Sequence, residues 1–210
     1  RIFLTSGTSE GYTFLFHLLA DAGDEILCMS PGYPLFEHLA SMADVNLVRL
    51  RSYEASGWKW DAGQVEKAKT GRTKALILVN PNNPTGALYS DELLLGIVAI
   101  AREHGLVIFA DEVYDKVLYD GAKHTALASL SEDILTLTFN SLSKSYRSCG
   151  YRAGWMVVSG EKRHAKDYIE GLNMLSNMRL CSNVPGQYAI QTALGGYQSI
   201  NELVGEGGRL

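Results

Sequence analysis

The sequence predicts an α/β protein of three layers, with helices on both faces of a mostly parallel sheet. Three observations predict it. Short apolar runs alternate with longer helical ones along the chain. Runs such as 75–79 are apolar at every position, as strands buried on both faces are. Polar residues with chemical potential fall where these runs end, and such sheets bind ligands beyond the carboxyl ends of their strands.

Taken in order, 2–5 read as a strand and 6–11 as a small-residue loop. A helix follows over 12–22, with Phe14, Leu15, Leu18 and Leu19 along one face. Residues 25–29 form a buried-type strand, 30–34 a Pro-Gly-Tyr-Pro turn and 35–43 a helix. The next strand is 46–50. Asp61 with Gln64 three residues on has the pattern of a capping box at a helix start. The apolar strand 75–79 runs into 80–86, which is dense in turn residues. Ser90 caps a long helix with Asp91 and Glu92 in its first turn, and Gly105 ends it. Strands over 107–110, 135–139 and 155–158 follow, then helices over 164–178 and 184–194.

Composition narrows the function. The 210 residues carry 19 Lys and Arg against 23 Asp and Glu, a net charge of -4, which argues against nucleic acid as the main partner. At 46% hydrophobic and 20% charged, the chain is globular rather than disordered. Its apolar runs fall short of the roughly 20 residues that span a bilayer, so no membrane role is expected. Three scattered cysteines, Cys28, Cys149 and Cys181, fit a reducing, cytoplasmic setting better than a disulfide framework. The chain begins at Arg1 inside a strand and stops at Gly207-Gly208-Arg209-Leu210 without a closing element, as a piece of a longer protein does.

Several short stretches carry chemistry. Gly7-Thr8-Ser9-Glu10-Gly11 lies between a strand and a helix, and reads equally as a phosphate cradle or an ordinary capped turn. It also matches G-x-S-x-G, the nucleophile elbow of α/β-hydrolases. Ser141-Leu142-Ser143-Lys144 follows a buried strand, where an ammonium is costly unless it has a task or a partner. An amine that forms a Schiff base needs such a site. Arg152, eight residues on, could clamp a phosphate with charge-assisted bonds. Asp111 ends a strand: it is either a helix cap or a buried carboxylate that keeps a heteroaromatic nitrogen protonated. Tyr114, three residues on, could point a phenol into the same site; Tyr33 and Asn83 each have a plain reading, as a core aromatic and a turn residue, and a functional one around a flat cofactor. Arg147 reads as a solvated or structural charge.

Taken together, Ser6-Gly7-Thr8, Pro31-Gly32-Tyr33-Pro34, Asn80-Pro81-Asn82-Asn83-Pro84-Thr85-Gly86, Ala110-Asp111-Glu112-Val113-Tyr114, and Ser141-x-Ser143-Lys144 with Gly150-x-Arg152-x-Gly154 resemble one family in order and spacing. This is the large, cofactor-binding domain of the pyridoxal 5′-phosphate (PLP) aminotransferases of fold type I, class I/II. The likeness extends over essentially the whole chain. Residues 109–116, Lys144-Ser145-Tyr146-Arg147 and 193–200 look most like bacterial alanine transaminases.

The resemblance implies that Lys144 holds PLP as an imine and then serves as general acid/base. Asp111 would pair with the pyridine nitrogen, Tyr114 and Asn83 would bond the phenolate oxygen, and Tyr33 would stack on the ring. Gly7, Thr8, Ser141, Ser143 and Arg152 would hold the phosphate, with Ser6 and Ser9 as weaker candidates. It implies alanine or glutamate and 2-oxoglutarate or pyruvate as small-molecule substrates, and a homodimer as the full-length form. Residues 1–210 would be the large domain, with the small domain and its carboxylate-gripping arginine lying outside this chain. Three alternatives stay open: a hydrolase built on Ser9, Asp111 and His124 or His164, another PLP reaction such as a C–S lyase, and a non-catalytic PLP-binding sensor.

Overall fold

A computed structural model describes residues 1–210. Its strands are β1 (Ile2–Thr5), β2 (Glu25–Ser30), β3 (Asn46–Arg51), β4 (Thr73–Val79), β5 (Val107–Asp111), β6 (Thr136–Ser141) and β7 (Gly154–Ser159). Its helices are α1 (Thr8–Leu19), α2 (Leu35–Met42), α3 (Ala62–Ala68), α4 (Asp91–His104), α5 (Lys166–Arg179), α6 (Val184–Gly195) and α7 (Ile200–Val204). The strands form one sheet in the order β1-β7-β6-β5-β4-β2-β3.

The apolar strands serve two cores at once. Along β4, Ala75, Ile77 and Val79 face a layer holding Leu15 and Phe16 of α1, Phe36 of α2 and Leu172 of α5. Leu76 and Leu78 face the other side, against Val65 of α3 and Leu94, Ile97 and Val98 of α4. A strand alternates its side chains between faces, so a strand covered on both sides must be apolar throughout. That is the three-layer arrangement expected from the run 75–79.

Local signals set the helix ends. Asp61 Oδ1 accepts from Gln64 N at 3.1 Å and Gln64 Oε1 from Asp61 N at 3.2 Å, closing the capping box of α3. Ser90 Oγ accepts from Leu93 N at 3.4 Å to start α4, and Gly105, left-handed at φ 64°, stops it.

One expectation needs correction: α1 starts at Thr8 rather than at residue 12 and ends at Leu19. Gly7 takes φ 74° and turns the chain directly out of β1, so the small residues form the first helical turn rather than a loop. The sheet is mostly parallel, as expected, with one strand reversed. β7 runs antiparallel to both β6 and β1, while the other neighbours are parallel. A parallel partner for β6 needs a crossover element, and the link from Ser141 to Gly154 contains only the 3-10 turn Cys149–Tyr151. The chain therefore returns along the neighbouring strand, and Ser141 pairs with Gly154.

Candidate active site

The reversal of β7 builds one corner of the site. Thr5 pairs with Gly154, and Gly154 with Ser141. The segments 6–8, 141–144 and 152–153 therefore leave the sheet side by side. Asp111 lies level with Phe139 on β6 and with Val79 on β4, at the same edge.

Nine of the ten residues nominated from the sequence line a single cleft there: Thr8, Tyr33, Asn83, Asp111, Tyr114, Ser141, Ser143, Lys144 and Arg152. Polar and charged groups converge on it beside an apolar lining, as small-molecule sites require. Gly7, the tenth, is buried just beneath it. A Cβ built there would fall 2.2 Å from Arg152 Nη2, so glycine is what lets the guanidinium approach the start of α1. Arg152 Nη1 donates to Cys149 O at 2.9 Å and Nη2 to Ser6 O at 3.4 Å, which orients the group. The first backbone N–H groups of α1 have no intrahelical acceptor and lie at this same corner. Glu10 braces it from behind: Oε2 accepts from Ser6 N at 2.8 Å and Oε1 pairs with Arg179 Nε at 3.0 Å. Ser141 Oγ, buried, accepts from Ser143 N at 3.2 Å and shapes the turn into Lys144.

At the other end lies a buried acid. Asp111 is 5% exposed, and Oδ1 accepts from Val113 N at 3.2 Å. It caps no helix, since 113–116 is a turn. Burial pushes its pKa up to about 6, against the opposing pull of the Val113 N–H, the nearby Tyr12 hydroxyl and the positive charge of Lys144. Asp111 forms no ion pair. Tyr12, fully buried and stacked on Phe139 at 4.4 Å, has a hydroxyl without a hydrogen-bond partner. Burial first, then the Asp111 carboxylate, push that phenol's pKa well up.

Lys144 departs from the expectation of a buried ammonium. It is exposed in this chain, with Nζ 5.6 Å from the centroid of the Tyr114 ring. The loop after β6 carries it out over the cleft rather than into the core. Tyr33, 40% exposed, is likewise no core aromatic. It meets Phe36 edge-on at 5.9 Å and leaves a face toward the cleft.

Sequence reading passed over several participants. Val79, Val113 and Cys149 also line the cleft. The signal for Val79 was its place as the last residue of a strand ending at that edge. Asn82 ties two site turns together, donating from Nδ2 to Pro31 O at 3.3 Å and to Thr85 Oγ1 at 2.9 Å. Arg147, left-handed at φ 56°, lines an adjoining cavity with Tyr114, Ser143, Lys144 and Cys149. Ser6 contributes its backbone, not a cleft-lining side chain.

The hydrolase alternative finds no triad. Ser9 lines the cleft, but no histidine does, and Ser9 sits in the first turn of α1 rather than on a strained elbow.

Comparison with known proteins identifies the family. The profile described as "Aminotransferase class I and II" matches residues 1–207. The chain belongs to the class I and II aminotransferase family. It is 53% identical over 209 residues to the glutamate-pyruvate aminotransferase AlaA of Escherichia coli (strain K12), covering 100% of this chain and 52% of that one. It is also 53% identical over 209 residues to the alanine aminotransferase of Mycobacterium tuberculosis (strain H37Rv), covering 49% of it. A crystal structure of an aminotransferase from Escherichia coli superposes with TM-score 0.97 at 53% identity, over all of this chain and 52% of that one. The alanine aminotransferase of Pyrococcus furiosus superposes with TM-score 0.90 at 34% identity, over 95% of this chain and 50% of that one. The chain spans about half the length of the curated aminotransferases it matches.

Proposed function

We propose that Lys144 holds PLP as an imine to its ε-amine. The whole protein is then an aminotransferase that moves an amino group between alanine or glutamate and pyruvate or 2-oxoglutarate, in ping-pong fashion. The observation that carries this reading is one cleft with a reachable amine, a buried unpaired acid and a guanidinium beside a helix start.

The residues present fit the cofactor. A protonated ring nitrogen would supply the cation that buried Asp111 lacks. The corner where the Arg152 guanidinium meets the start of α1, reachable because Gly7 has no Cβ, suits a phosphate: Thr8, Ser141 and Ser143 offer hydroxyls and Arg152 a fixed charge. When bound, PLP supplies an aldehyde that captures amino groups and a ring that accepts the electron pair released at the substrate Cα.

The chain's own residues do the rest. Asp111 would keep its charge against the ring nitrogen. Tyr114 and Asn83 would donate to the phenolate oxygen. Tyr33 would cover the ring and exclude water from one face. Lys144 Nζ, as a free amine, would take the proton from the substrate Cα and return it as general acid.

The same reading makes residues 1–210 the large domain, with the small domain and the arginine for the substrate α-carboxylate in the remainder of the protein. It pairs two chains in a homodimer. The exposed Met174, Met178, Leu180, Val184 and Tyr188, on and between α5 and α6, offer an apolar face in support. A cytoplasmic setting accords with three unpaired cysteines; no helix is long and apolar enough to cross a membrane.

The test is borohydride reduction after adding PLP, followed by peptide mass analysis. The expected result is a phosphopyridoxyl group on Lys144 and none in Lys144→Ala. Half-reactions of the full-length enzyme with single amino acids then identify the substrate, and the reading fails on substrate if alanine and glutamate leave the absorption band unmoved.

A further inference from the structure

Lys144 sits in an irregular loop, is exposed and makes no side-chain hydrogen bond, yet the proposed chemistry needs its amine at a fixed point. The two residues after it are anchored. Ser145, 2% exposed, donates from Oγ to Asp115 Oδ1 at 3.0 Å and lies 3.4 Å from Val113 O. Tyr146 Oη accepts from Lys116 Nζ at 2.8 Å, and the same ammonium lies 5.0 Å from the Tyr146 ring centroid. Lys116 Nζ also donates to Gln198 Oε1 at 2.6 Å. Gln198 spends its amide N–H groups on Ala193 O at 2.9 Å and Gly196 O at 2.8 Å, so its carbonyl must face Lys116.

These bonds join three segments. One is the end of β5 with the turn that follows it, which carry Asp111 and Tyr114. Another is the loop after β6, which carries Lys144. The third is the chain leaving α6. Lys116 forms no ion pair; its charge is met by two neutral oxygens and a ring face. For stability alone, each such bond is worth only about 1 kcal/mol. For catalysis its worth is larger, because a displacement of about 1 Å at a reacting group costs roughly a hundredfold in rate.

We propose that Lys116 and Ser145 are positioning residues that lock the Lys144 loop to the Asp111–Tyr114 turn and so set where the amine sits. This inference rests on the reading of Lys144 as the imine-forming amine.

The experiment uses the full-length, PLP-loaded enzyme with Lys116→Met and Ser145→Ala, each paired with the donor-retaining Lys116→Arg and Ser145→Thr. In the Met and Ala variants, kcat is expected to fall about tenfold to a hundredfold. KM for the amino acid should hold, and imine formation on adding PLP to cofactor-free protein should slow in parallel. The Arg and Thr variants should recover most of both rates. Unchanged kcat and imine-formation rates in the Met and Ala variants overturn the proposal. So does a loss of rate that tracks only the fraction of folded protein in a thermal melt. Failure of the underlying reading looks different: the unaltered protein would then yield no reducible adduct at Lys144, and this inference would go with it.

Discussion

Asp111 holds a charge that its surroundings penalise. Its carboxylate is buried, meets one backbone N–H and forms no ion pair, so its pKa rises to about 6. In the proposed role that cost is offset only when a cationic ring nitrogen is bound, which makes the residue a local trade of stability for function. Asp111→Asn keeps an acceptor for Val113 N and removes the charge. The cofactor-free protein should gain on the order of 1–3 kcal/mol at pH 8 by urea denaturation. The same substitution should lower kcat of the full-length enzyme by about a hundredfold or more. A variant that is both less stable and fully active would contradict both halves. Arg152 depends on a neighbour in the opposite sense: it reaches the start of α1 because Gly7 has no side chain.

At the level of elements, the site is made where three strand ends meet. Gly154, first residue of β7, lies between Thr5 and Ser141 in the sheet. A Cβ there would fall 2.8 Å from the Gly7 carbonyl carbon and 3.0 Å from Thr8 N, both backbone atoms that cannot swing aside. Gly154→Ala should therefore displace the start of α1 and weaken PLP binding by about tenfold, about 1.4 kcal/mol, in an absorbance titration. Asp61→Ala is the contrasting case. Its capping box starts α3, away from the cleft, so the change should cost about 1 kcal/mol of stability and leave PLP affinity unaltered.

For the whole molecule, pH acts through two adjacent buried acids. Burial raises Asp111 to about 6 and Glu112 to about 7, from ordinary values of 3.8 and 4.5. Glu112 also accepts from Leu127 N at 2.9 Å, which opposes the rise. Between about pH 4 and 7 the native chain holds protons that the unfolded chain has released. Their contribution is complete below pH 4 and is lost as pH rises through 6 and 7. Denaturation midpoints of the cofactor-free protein should fall from pH 5 to pH 8. Bound PLP should flatten the Asp111 part by holding that group ionised. The proposed division into domains bears on activity at this scale too. The 210-residue chain alone should turn over at least about a hundredfold more slowly than the full-length enzyme, because the substrate carboxylate is left unheld.

Much of this was legible in the residues themselves. Apolar runs with no polar break predicted strands covered on both faces. Asp61 with Gln64, and Ser90 with Gly105, predicted their helix ends, because caps are local chemistry. The residues of the cleft were nominated by type and by their place at strand ends. Tertiary structure decided the rest. Strand direction in β7 depends on what the Ser141–Gly154 link can span, and the start of α1 on the backbone angle at Gly7. Lys144 proved exposed because a loop after a strand can leave the core at once. The bonds from Lys116 to Tyr146 and Gln198 join residues 30 and 82 positions apart, and no local pattern encodes such a meeting. Local sequence sets which groups are present and how each turn begins or ends; only the packed chain sets which of them touch.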